Sequence, residues 1–534
     1  MSASPAMVRA PGRVGPRRRA STPRALLALL AFITLPAKAD DACRALAGVA
    51  LAHAKVESAM VQPGADFPAK GDRLAAHAGA HCAVRVVSHP TADSDIHFEL
   101  WLPPADAWNG KYLQKGSGGW GGEVYTYALV TPLNRGYATA VTDDGHVADG
   151  TAGFTVGHPQ KIRDFGYRAI HETSVLSRRL IAAYYRRAQS QAYFVGCSDG
   201  GREALMQAQR FPGDFDGIVA GAPAARWSRL MTAFVANARR LDDAPLPVSK
   251  LAAIQKASLA SCDALDGIRD GIVDDPRRCR FDPASIQCKG GDSNDCLTAE
   301  QVATVRALYA GPMDPVTGAR IHPGLEPGME DDGGSWRLWI LGGEQRKFGF
   351  SNFADLVYQG RGWGPAGRDI HRDLVAAQER EAPYLDAFDP DLRAFRAHGG
   401  KLLLFHGWGD AAVPPRGTIE YVQDVGNFMG RHGEPANLDD FARLFMVPGM
   451  GHCWGGPGAT SFGNEEVPPP GLPQDADHDI VMALDRWVTE GKAPEQLVAT
   501  RTAEAVDSPA RTRLLCKYPQ VARNGRCVAA GNPP

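Results

Sequence analysis

A serine framed by glycines constrains this chain more than any other feature of its sequence. Gly196, Ser198 and Gly200 lie directly after the short apolar run 192–195, and a helix-forming stretch follows at 202–210. Glycines two positions before and after a serine leave room for a sharp, strained turn between a buried strand and a helix. The bare pattern also arises by chance in a glycine-rich chain, but the flanking segments favour a nucleophile elbow.

The size and charge of the chain set only wide bounds. It has 534 residues, more than one average domain, so we expect a large α/β core with an insertion, or two domains. The formal net charge of -2 gives no reason to expect nucleic acid or an anionic membrane surface as a partner. The charge carries no information about a substrate.

The first 39 residues have the pattern of a removed export signal. Six arginines precede the apolar run 25–35, and Ala37 and Ala39 place small residues where signal peptidase requires them. A membrane anchor is the alternative, but about ten apolar residues fall well short of the roughly 20 that span a bilayer. We therefore expect a secreted or periplasmic protein that has no membrane partner once residues 1–39 are removed.

Export changes how the cysteines are interpreted, because an even number in an exported chain favours disulfides over metal or redox chemistry. The ten cysteines offer four pairs that are local in sequence. These pairs are Cys43 with Cys82, Cys262 with Cys279, Cys288 with Cys296, and Cys516 with Cys527, which leaves Cys197 and Cys453. Connectivity cannot be deduced from sequence alone, so the pairing is a hypothesis.

Short apolar runs alternate with helix-like stretches before and after a long irregular interval, which is the order of an α/β fold. The expected strands are 98–102, 112–114, 138–142, 192–195, 217–220, 401–405 and, as the last one, 444–447. Helices are expected over 170–186, 202–210 and 479–490.

The interval 224–399 is rich in Asp, Gly, Pro and Trp and contains four of the cysteines. We predict an α/β-hydrolase core made of 40–223 and 400–534. The interval 224–399 is expected to be a lid domain, inserted after the strand that follows the elbow.

A catalytic serine needs an imidazole to take its proton, and the imidazole needs a carboxylate to hold its tautomer. In α/β-hydrolases the acid and then the histidine follow the serine on loops after later strands. Asp410 follows the expected strand 401–405, and His452 follows 444–447. Taken singly, they are more often a turn residue and a satisfied loop histidine, but in this order with Ser198 they are predicted to form a triad.

The two remaining cysteines strengthen this prediction. Cys197 directly precedes Ser198 and Cys453 directly follows His452. If the serine and histidine are hydrogen-bonded, their neighbours lie close enough for a disulfide with normal Cα separation. Two unrelated buried thiols are the alternative.

A tetrahedral intermediate also needs an oxyanion hole, usually built from the N–H after the nucleophile and an N–H from a glycine-rich loop. Asp199 supplies the first, and the loop 116–122 after the expected strand 112–114 is the candidate for the second, with Gly119 favoured. A phosphate-binding loop is a competing interpretation, but the Lys and Ser/Thr that complete it are lacking. A plain flexible loop is another.

These residues resemble the tannase and feruloyl esterase family, in which a Cys-Ser, Asp, His-Cys arrangement is characteristic. The similarity covers nearly the whole mature chain. Its motifs are 108–110, 142–146, 169–172, 196–200 with 215–218, 406–410, 451–453 and 516–519. Members are secreted or periplasmic esterases that cleave feruloyl, galloyl and other aromatic acid esters, and one branch hydrolyses mono(2-hydroxyethyl) terephthalate.

The resemblance also implies a structural calcium site in the lid and no organic cofactor. The implied ligands are the carboxylates of Asp263, Asp266 and Asp270 and the carbonyls of Ile268 and Ile272. Hard carboxylate and carbonyl oxygens at such spacing can surround Ca²⁺. Without the resemblance, a solvated acidic turn would be the preferred interpretation, because this is not the EF-hand pattern.

A lid segment resembles the part of the terephthalate-monoester branch that holds its substrate. Arg346 would bind a free carboxylate, Phe350 would cover the ring with Ser351 beside it, and Trp339 would form an aromatic wall. The chain departs from that branch in a shorter spacing between Trp339 and Arg346, and in Val413 where the best-known member has phenylalanine. An ordinary solvent-facing arginine beside a core phenylalanine is an equal alternative.

The sequence thus predicts a secreted serine esterase that acts on a small-molecule aromatic ester, such as a feruloyl or galloyl ester, through an acyl-enzyme. A terephthalate-monoester hydrolase is the alternative of the same class, and a peptidase or aliphatic lipase with the same triad is another. A binding protein on an inactive hydrolase scaffold is the alternative of a different class.

Overall fold

The computed structural model describes residues 35–71, 73–364, 369–501 and 510–530. Most of the predicted export signal, residues 1–34, lies outside the described residues. In that described part of the chain, no helix combines the length and the hydropathy that a membrane span requires.

The described residues contain fifteen strands, most of them short. The strands are β1 Ala54–Gln62, β2 Ala65–Phe67, β3 Ala76–Ala78, β4 His81–Ser88, β5 Ile96–Leu102, β6 Lys111–Lys115, β7 Ala138–Thr142, β8 Gln191–Cys197, β9 Gly217–Gly221, β10 Lys401–Gly407, β11 Ala442–Val447, β12 Gln496–Arg501, β13 Arg511–Cys516, β14 Gln520–Arg523 and β15 Arg526–Ala529.

Nine of these strands form one sheet in the order β1-β4-β5-β7-β6-β8-β9-β10-β11. The pairings from β7 through β11 are parallel, whereas β1, β4 and β5 add an antiparallel edge. In parallel sheets of this kind, ligands bind at the carboxyl ends of the strands. The loops after β8, β10 and β11 therefore meet at the edge where a site is expected.

Fourteen α-helices accompany these strands in the described residues. They are α1 Leu35–Ala45, α2 Val130–Asn134, α3 Pro159–Arg163, α4 Ala169–Tyr185, α5 Asp199–Arg210, α6 Trp227–Asp243, α7 Leu251–Cys262, α8 Ala299–Ala310, α9 Glu344–Ser351, α10 Ile370–Arg380, α11 Ala382–Leu385, α12 Arg393–His398, α13 Arg416–Arg431 and α14 Ile480–Glu490.

The parallel part of the sheet is buried on both faces. Along β10, Leu402 and Leu404 join one hydrophobic cluster, which also contains side chains of α4, α5 and α13. Leu403 and Phe405 join a second cluster with α14. Because successive side chains of a strand point to opposite faces, helices cover both sides of the sheet. The predicted α/β class is confirmed.

The helices α6 to α12 all lie between β9 and β10, in the interval that the sequence pattern assigns to the lid. Their division from the core as a separate domain stays a prediction. One expectation about the strands was wrong: 444–447 belongs to β11, but β12 to β15 follow it in two small antiparallel pairs. Buried parallel strands are continuous apolar runs, whereas β12 to β15 are partly exposed and mix charged with apolar residues.

Candidate active site

The elbow serine stands in a strained turn between β8 and α5. Ser198 has φ 64° and ψ -120°, a conformation that residues with a side chain rarely adopt. Glycine is needed at position 196, because a Cβ there would lie 2.4 Å from the carbonyl oxygen of Gly200. The turn thus depends on tight backbone packing that no larger residue at Gly196 would permit.

The structure brings the three predicted triad residues into one hydrogen-bonded chain. His452 Nε2 lies 2.8 Å from Ser198 Oγ, and His452 Nδ1 lies 2.7 Å from Asp410 Oδ2. Both ring nitrogens of the histidine therefore face the partners that a proton relay from a serine to an imidazole requires. The three residues come from the loops after β8, β10 and β11.

The carboxylate of Asp410 is buried and held from several sides. Its Oδ1 accepts hydrogen bonds from the backbone N–H groups of Ala412 and Val413, each at 2.8 Å. Burial alone would raise the pKa of Asp410, but the imidazole of His452 and the hydrogen bond from His406 hold it well below its ordinary value. The carboxylate is therefore ionised and able to stabilise an imidazolium on His452.

His406 is a contact of Asp410 to which motif analysis assigned no role. Its Nε2 lies 3.1 Å from Asp410 Oδ2 and 2.8 Å from the carbonyl oxygen of Val413, and its Nδ1 lies 2.8 Å from the hydroxyl of Thr418. These partners fit a neutral imidazole whose Nε2–H donates and whose Nδ1 accepts. The only sequence signal was its position at the start of the motif 406–410.

The four disulfides that are local in sequence and the one inferred from the neighbours of Ser198 and His452 are all present. They are Cys43–Cys82, Cys197–Cys453, Cys262–Cys279, Cys288–Cys296 and Cys516–Cys527. In the second of these, the Cα atoms are 6.0 Å apart. This bond ties the residue before the serine to the residue after the histidine.

The two residues expected to form the oxyanion hole both line the same cavity as Ser198. Asp199 is the first residue of α5, so its N–H has no acceptor within the helix. Gly119 has φ 63° and lies in the loop 116–122. That loop is fixed to α5 through Ser117, whose carbonyl accepts the N–H of Gly200 at 3.1 Å.

A cavity of about 820 Å³ opens over the serine and histidine. One part of its lining is apolar and consists of Trp227, Leu230, Met231, Phe234, Trp339, Phe348, Ala412 and Val413. Another part carries polar and charged side chains, namely Arg73, Lys115, Glu123, Tyr125, Glu466 and Arg501. The indole of Trp339 meets the imidazole of His452 edge to face, with ring centroids 5.3 Å apart. The apolar part therefore begins at the histidine itself.

The predicted substrate residues divide between this cavity and its surroundings. Trp339 lines the cavity as expected, but Arg346, Phe350 and Ser351 do not. Arg346 is paired with Asp242 on α6.

The other two residues are also engaged elsewhere. Phe350 packs against Trp363, and Ser351 Oγ donates to Asp355 Oδ2 at 2.8 Å. The aromatic side chain that α9 contributes to the cavity is Phe348, which sequence analysis missed.

The acidic loop expected to bind calcium follows α7. Asp263 Oδ1 accepts backbone N–H groups from 270–272 at 3.1–3.2 Å, and Asp266 Oδ1 accepts the N–H of Ile268 at 2.9 Å. Asp270 Oδ2 is paired with Arg513, while its Oδ1 is buried without a partner among the described residues.

The donors of this loop fit a hard cation, since carboxylate and carbonyl oxygens are what Ca²⁺ takes. In this geometry, however, the side-chain oxygens of Asp263, Asp266 and Asp270 do not all lie within 4.8 Å of one another.

Comparisons with known proteins agree with this architecture. The family model described as tannase and feruloyl esterase matches residues 82–526. An uncharacterized esterase of Xanthomonas campestris pv. campestris is 42% identical over 532 residues, which cover 93% of this chain and 91% of that protein. A probable feruloyl esterase B-2 of Aspergillus terreus is 33% identical over 448 residues, which cover 82% of each chain.

Solved structures show the same similarity. The crystal structure of feruloyl esterase B from Aspergillus oryzae has a TM-score of 0.83 at 26% identity, and covers 92% of this chain and 100% of that one. A tannin acyl hydrolase from Aspergillus niger, at 22% identity and a TM-score of 0.70, covers 92% and 95% and shares the fold. The resemblance inferred from the motifs is confirmed, and this chain belongs to the tannase and feruloyl esterase family of carboxylic ester hydrolases.

Proposed function

We propose that this chain is an exported serine esterase that releases aromatic acids from their esters through an acyl-enzyme. The observation that carries the proposal is the continuous chain of hydrogen bonds from Ser198 through His452 to Asp410, at 2.8 and 2.7 Å. A binding protein on the same scaffold would have no need of a buried, ionised Asp410 aligned on the imidazole.

In the proposed reaction, Ser198 Oγ attacks the ester carbonyl carbon while His452 Nε2 takes the hydroxyl proton. The carbonyl oxygen becomes an oxyanion. When the intermediate collapses, the bond to the leaving alcohol breaks and His452 gives the proton to that oxygen. Water then attacks the acyl-enzyme with His452 again acting as the base, and the aromatic acid leaves as Ser198 regains its proton.

The oxyanion would be bound by the N–H groups of Asp199 and Gly119. One donor of this kind is worth about 2.7–4 kcal/mol of transition-state stabilisation in serine hydrolases. The Asp199 N–H also stands at the N-terminus of α5, where the helix dipole favours negative charge. Neither donor has to be reorganised during the reaction, since both belong to backbone that is fixed before substrate binds.

The apolar part of the cavity supports an aromatic acyl group. Trp339 and Phe348 offer ring surfaces, with centroids 6.1 Å apart, and α6 adds Leu230 and Met231. Aromatic side chains favour another ring in an offset or edge-to-face arrangement. The absence of Arg346 from the lining disfavours the use of this arginine to bind a second carboxylate of the substrate.

Two further parts of the proposal concern the environment of the enzyme. Five disulfides accord with the export signal proposed for 1–39, because such bonds persist in oxidising compartments. Calcium, if bound by Asp263, Asp266, Asp270 and the carbonyls of Ile268 and Ile272, would cross-link the loop after α7 and play no part in the chemistry.

A substrate panel tests the proposal. Purified chain is assayed with methyl ferulate, methyl gallate, mono(2-hydroxyethyl) terephthalate, a triglyceride and a peptide, beside Ser198→Ala as the control. We expect hydrolysis of the two neutral aromatic esters, and none by the variant. Preference for the triglyceride or the peptide would contradict an aromatic acid as the acyl group. An inactive native chain would favour a binding role.

A further inference from the structure

Three buried carboxylates lie together next to the glycine-rich loop. Oxygens of Asp144, Asp199 and Glu203 are all within 4.8 Å of one another. None of the three residues is more than 1% exposed. Two of them belong to the first turns of α5, directly after the proposed nucleophile, and Asp144 comes from the loop after β7. The triad does not use any of these side chains.

Hydrogen-bond donors reach only two of the three carboxylates. Arg202 binds both oxygens of Asp199. Ser117 donates two hydrogen bonds to Glu203. The N–H of Ser117 lies 2.9 Å from Oε2, and its hydroxyl lies 2.9 Å from Oε1. Both oxygens of Asp144 are buried and have no hydrogen-bond partner in the described part of the chain.

An ionised carboxylate in this position would be costly. A buried charge needs a partner of opposite charge or several donors, and two carboxylates that share a site cannot both ionise easily. Arg202, already bound to Asp199, supplies one positive charge against three acids. A proton in the cluster removes one negative charge and turns Asp144 into a donor toward its neighbours.

Most of the groups that face Asp144 raise its pKa. Burial and the charges of Glu203 and Asp199 raise the pKa of Asp144 well above its ordinary value, and burial with Asp199 raises the pKa of Glu203 to about 7. Asp143 on the same loop adds to the effect, whereas the hydroxyl of Ser117 and the charge of Arg202 oppose it. His146, two residues further on, is neutral because burial lowers its pKa to about 4.

We propose that Asp144 is a positioning residue that works as a neutral carboxylic acid, sharing one proton with Glu203 and Asp199. The neutral form lets Glu203 keep both oxygens on Ser117 and so holds the loop that carries Gly119. This role rests on the proposed function, in which that loop supplies an oxyanion donor.

Loss of the proton would act on catalysis in two ways. A second uncompensated negative charge would appear beside Asp199, whose N–H is the other oxyanion donor, and would oppose the charge that develops in the transition state. Repulsion between Asp144 and Glu203 would also disturb the contact of Glu203 with Ser117. Both effects lower kcat more than they raise KM.

Asp144→Asn tests the protonation state without reference to activity. Asparagine keeps the shape and an N–H donor, cannot ionise, and tolerates the left-handed φ of 61° at this position. A proton held only by the folded chain makes native protein lose stability, relative to the variant, as pH rises above the unfolded pKa of about 4. In urea titrations, the ratio of unfolding constants, native to variant, should increase with pH above pH 5, by about tenfold per pH unit for as long as the folded chain keeps the proton.

Asp143→Asn is the matched control. Its carboxyl accepts two backbone N–H groups, at 2.8 and 3.0 Å, and burial raises its pKa only to about 6. Its ratio of unfolding constants should therefore level off above pH 6, while that of Asp144→Asn continues to rise. A ratio for Asp144→Asn that is constant or falls with pH would overturn the proposal, since Asp144 would then be ionised and neutralised by a cation.

The catalytic arm uses the pH profile of kcat on methyl ferulate from pH 6 to 10. Native enzyme should lose kcat on the alkaline side as the cluster gives up its proton, and Asp144→Asn should keep at least a tenth of the plateau value without that loss. Superimposable profiles would refute the positioning role. If native chain hydrolyses no ester at all, the proposed function fails, and the unfolding titrations still decide whether the proton is there.

Discussion

A disulfide joins Cys197 to Cys453, and so connects the residue before Ser198 to the residue after His452, with the two Cα atoms 6.0 Å apart. The bond spans 256 residues of sequence and joins the end of β8 to the loop after β11. It holds the hydroxyl and the imidazole in hydrogen-bonding distance by covalent means, in addition to the packing of β8 and β11.

Removal of this disulfide in Cys197→Ala/Cys453→Ala should impair both stability and catalysis. Loss of a native disulfide from an exported protein costs about 2–5 kcal/mol. A misplaced imidazole should in addition lower kcat at least tenfold, because small displacements of a base are costly. The control is Cys288→Ala/Cys296→Ala, which removes a bond that closes only 8 residues of the segment between β9 and β10. Equal kcat in the two double variants would contradict the account.

Asp410→Asn should lower kcat by about 10⁴-fold, the loss expected when an amide replaces the carboxylate that holds the histidine tautomer.

The same change should also alter how the free energy of unfolding depends on pH. A carboxyl whose pKa is lowered by folding contributes stability above its unfolded pKa of about 4, and loses that contribution as pH falls toward the folded value. The difference in unfolding free energy between native chain and variant should therefore be full at pH 7 and shrink below about pH 4. A difference that grows on acidification would be incompatible with an ionised Asp410.

His406→Gln should reduce kcat with little change in KM, because His406 contacts Asp410 but does not line the cavity. A lost buried hydrogen bond costs about 1–3 kcal/mol, which corresponds to roughly 5- to 150-fold in rate. Thr418→Val, which removes the hydroxyl partner of His406 Nδ1, should have a smaller effect in the same direction. Steady-state kinetics on one aromatic ester give the comparison. An unchanged kcat in His406→Gln would show that this imidazole does not help to position Asp410.

Phe348→Ala and Arg346→Ala distinguish the lining seen in the structure from the carboxylate binding by Arg346 that the family resemblance implied. Phe348→Ala should raise KM for methyl ferulate, since it removes a ring surface from the lining. Arg346→Ala should affect mono(2-hydroxyethyl) terephthalate and methyl ferulate equally, because the guanidinium is paired with Asp242 outside the lining. A selective loss on the terephthalate ester would instead support carboxylate binding by Arg346.

The contrast between Arg346 and Phe348 shows where inference from sequence stops. Both lie on α9, two residues apart, and side chains two positions apart on a helix point in nearly opposite directions. Which one enters the cavity depends on how α9 rotates against α6, and that is a matter of tertiary packing. A motif comparison places the segment at the site without saying which face is turned toward the substrate.

The elbow, by contrast, could be predicted because its requirements are local. The apolar run of β8, the glycines around Ser198 and the helix-forming start of α5 are all contiguous in the sequence. Asp410 and His452 were predictable from their order, since the loops after parallel strands meet at one edge. His406 and the pair of Asp144 with Glu203 were not, because their contacts join residues that no local pattern connects.

Covalent labelling of folded protein with a fluorophosphonate, followed by peptide mass spectrometry, tests the proposed nucleophile most directly. We expect one phosphonyl group on the peptide that contains Ser198, with labelling slowed strongly in His452→Ala, in which the base is missing. No label on Ser198 in folded native chain, or the same rate in His452→Ala, would contradict a serine nucleophile activated by that histidine.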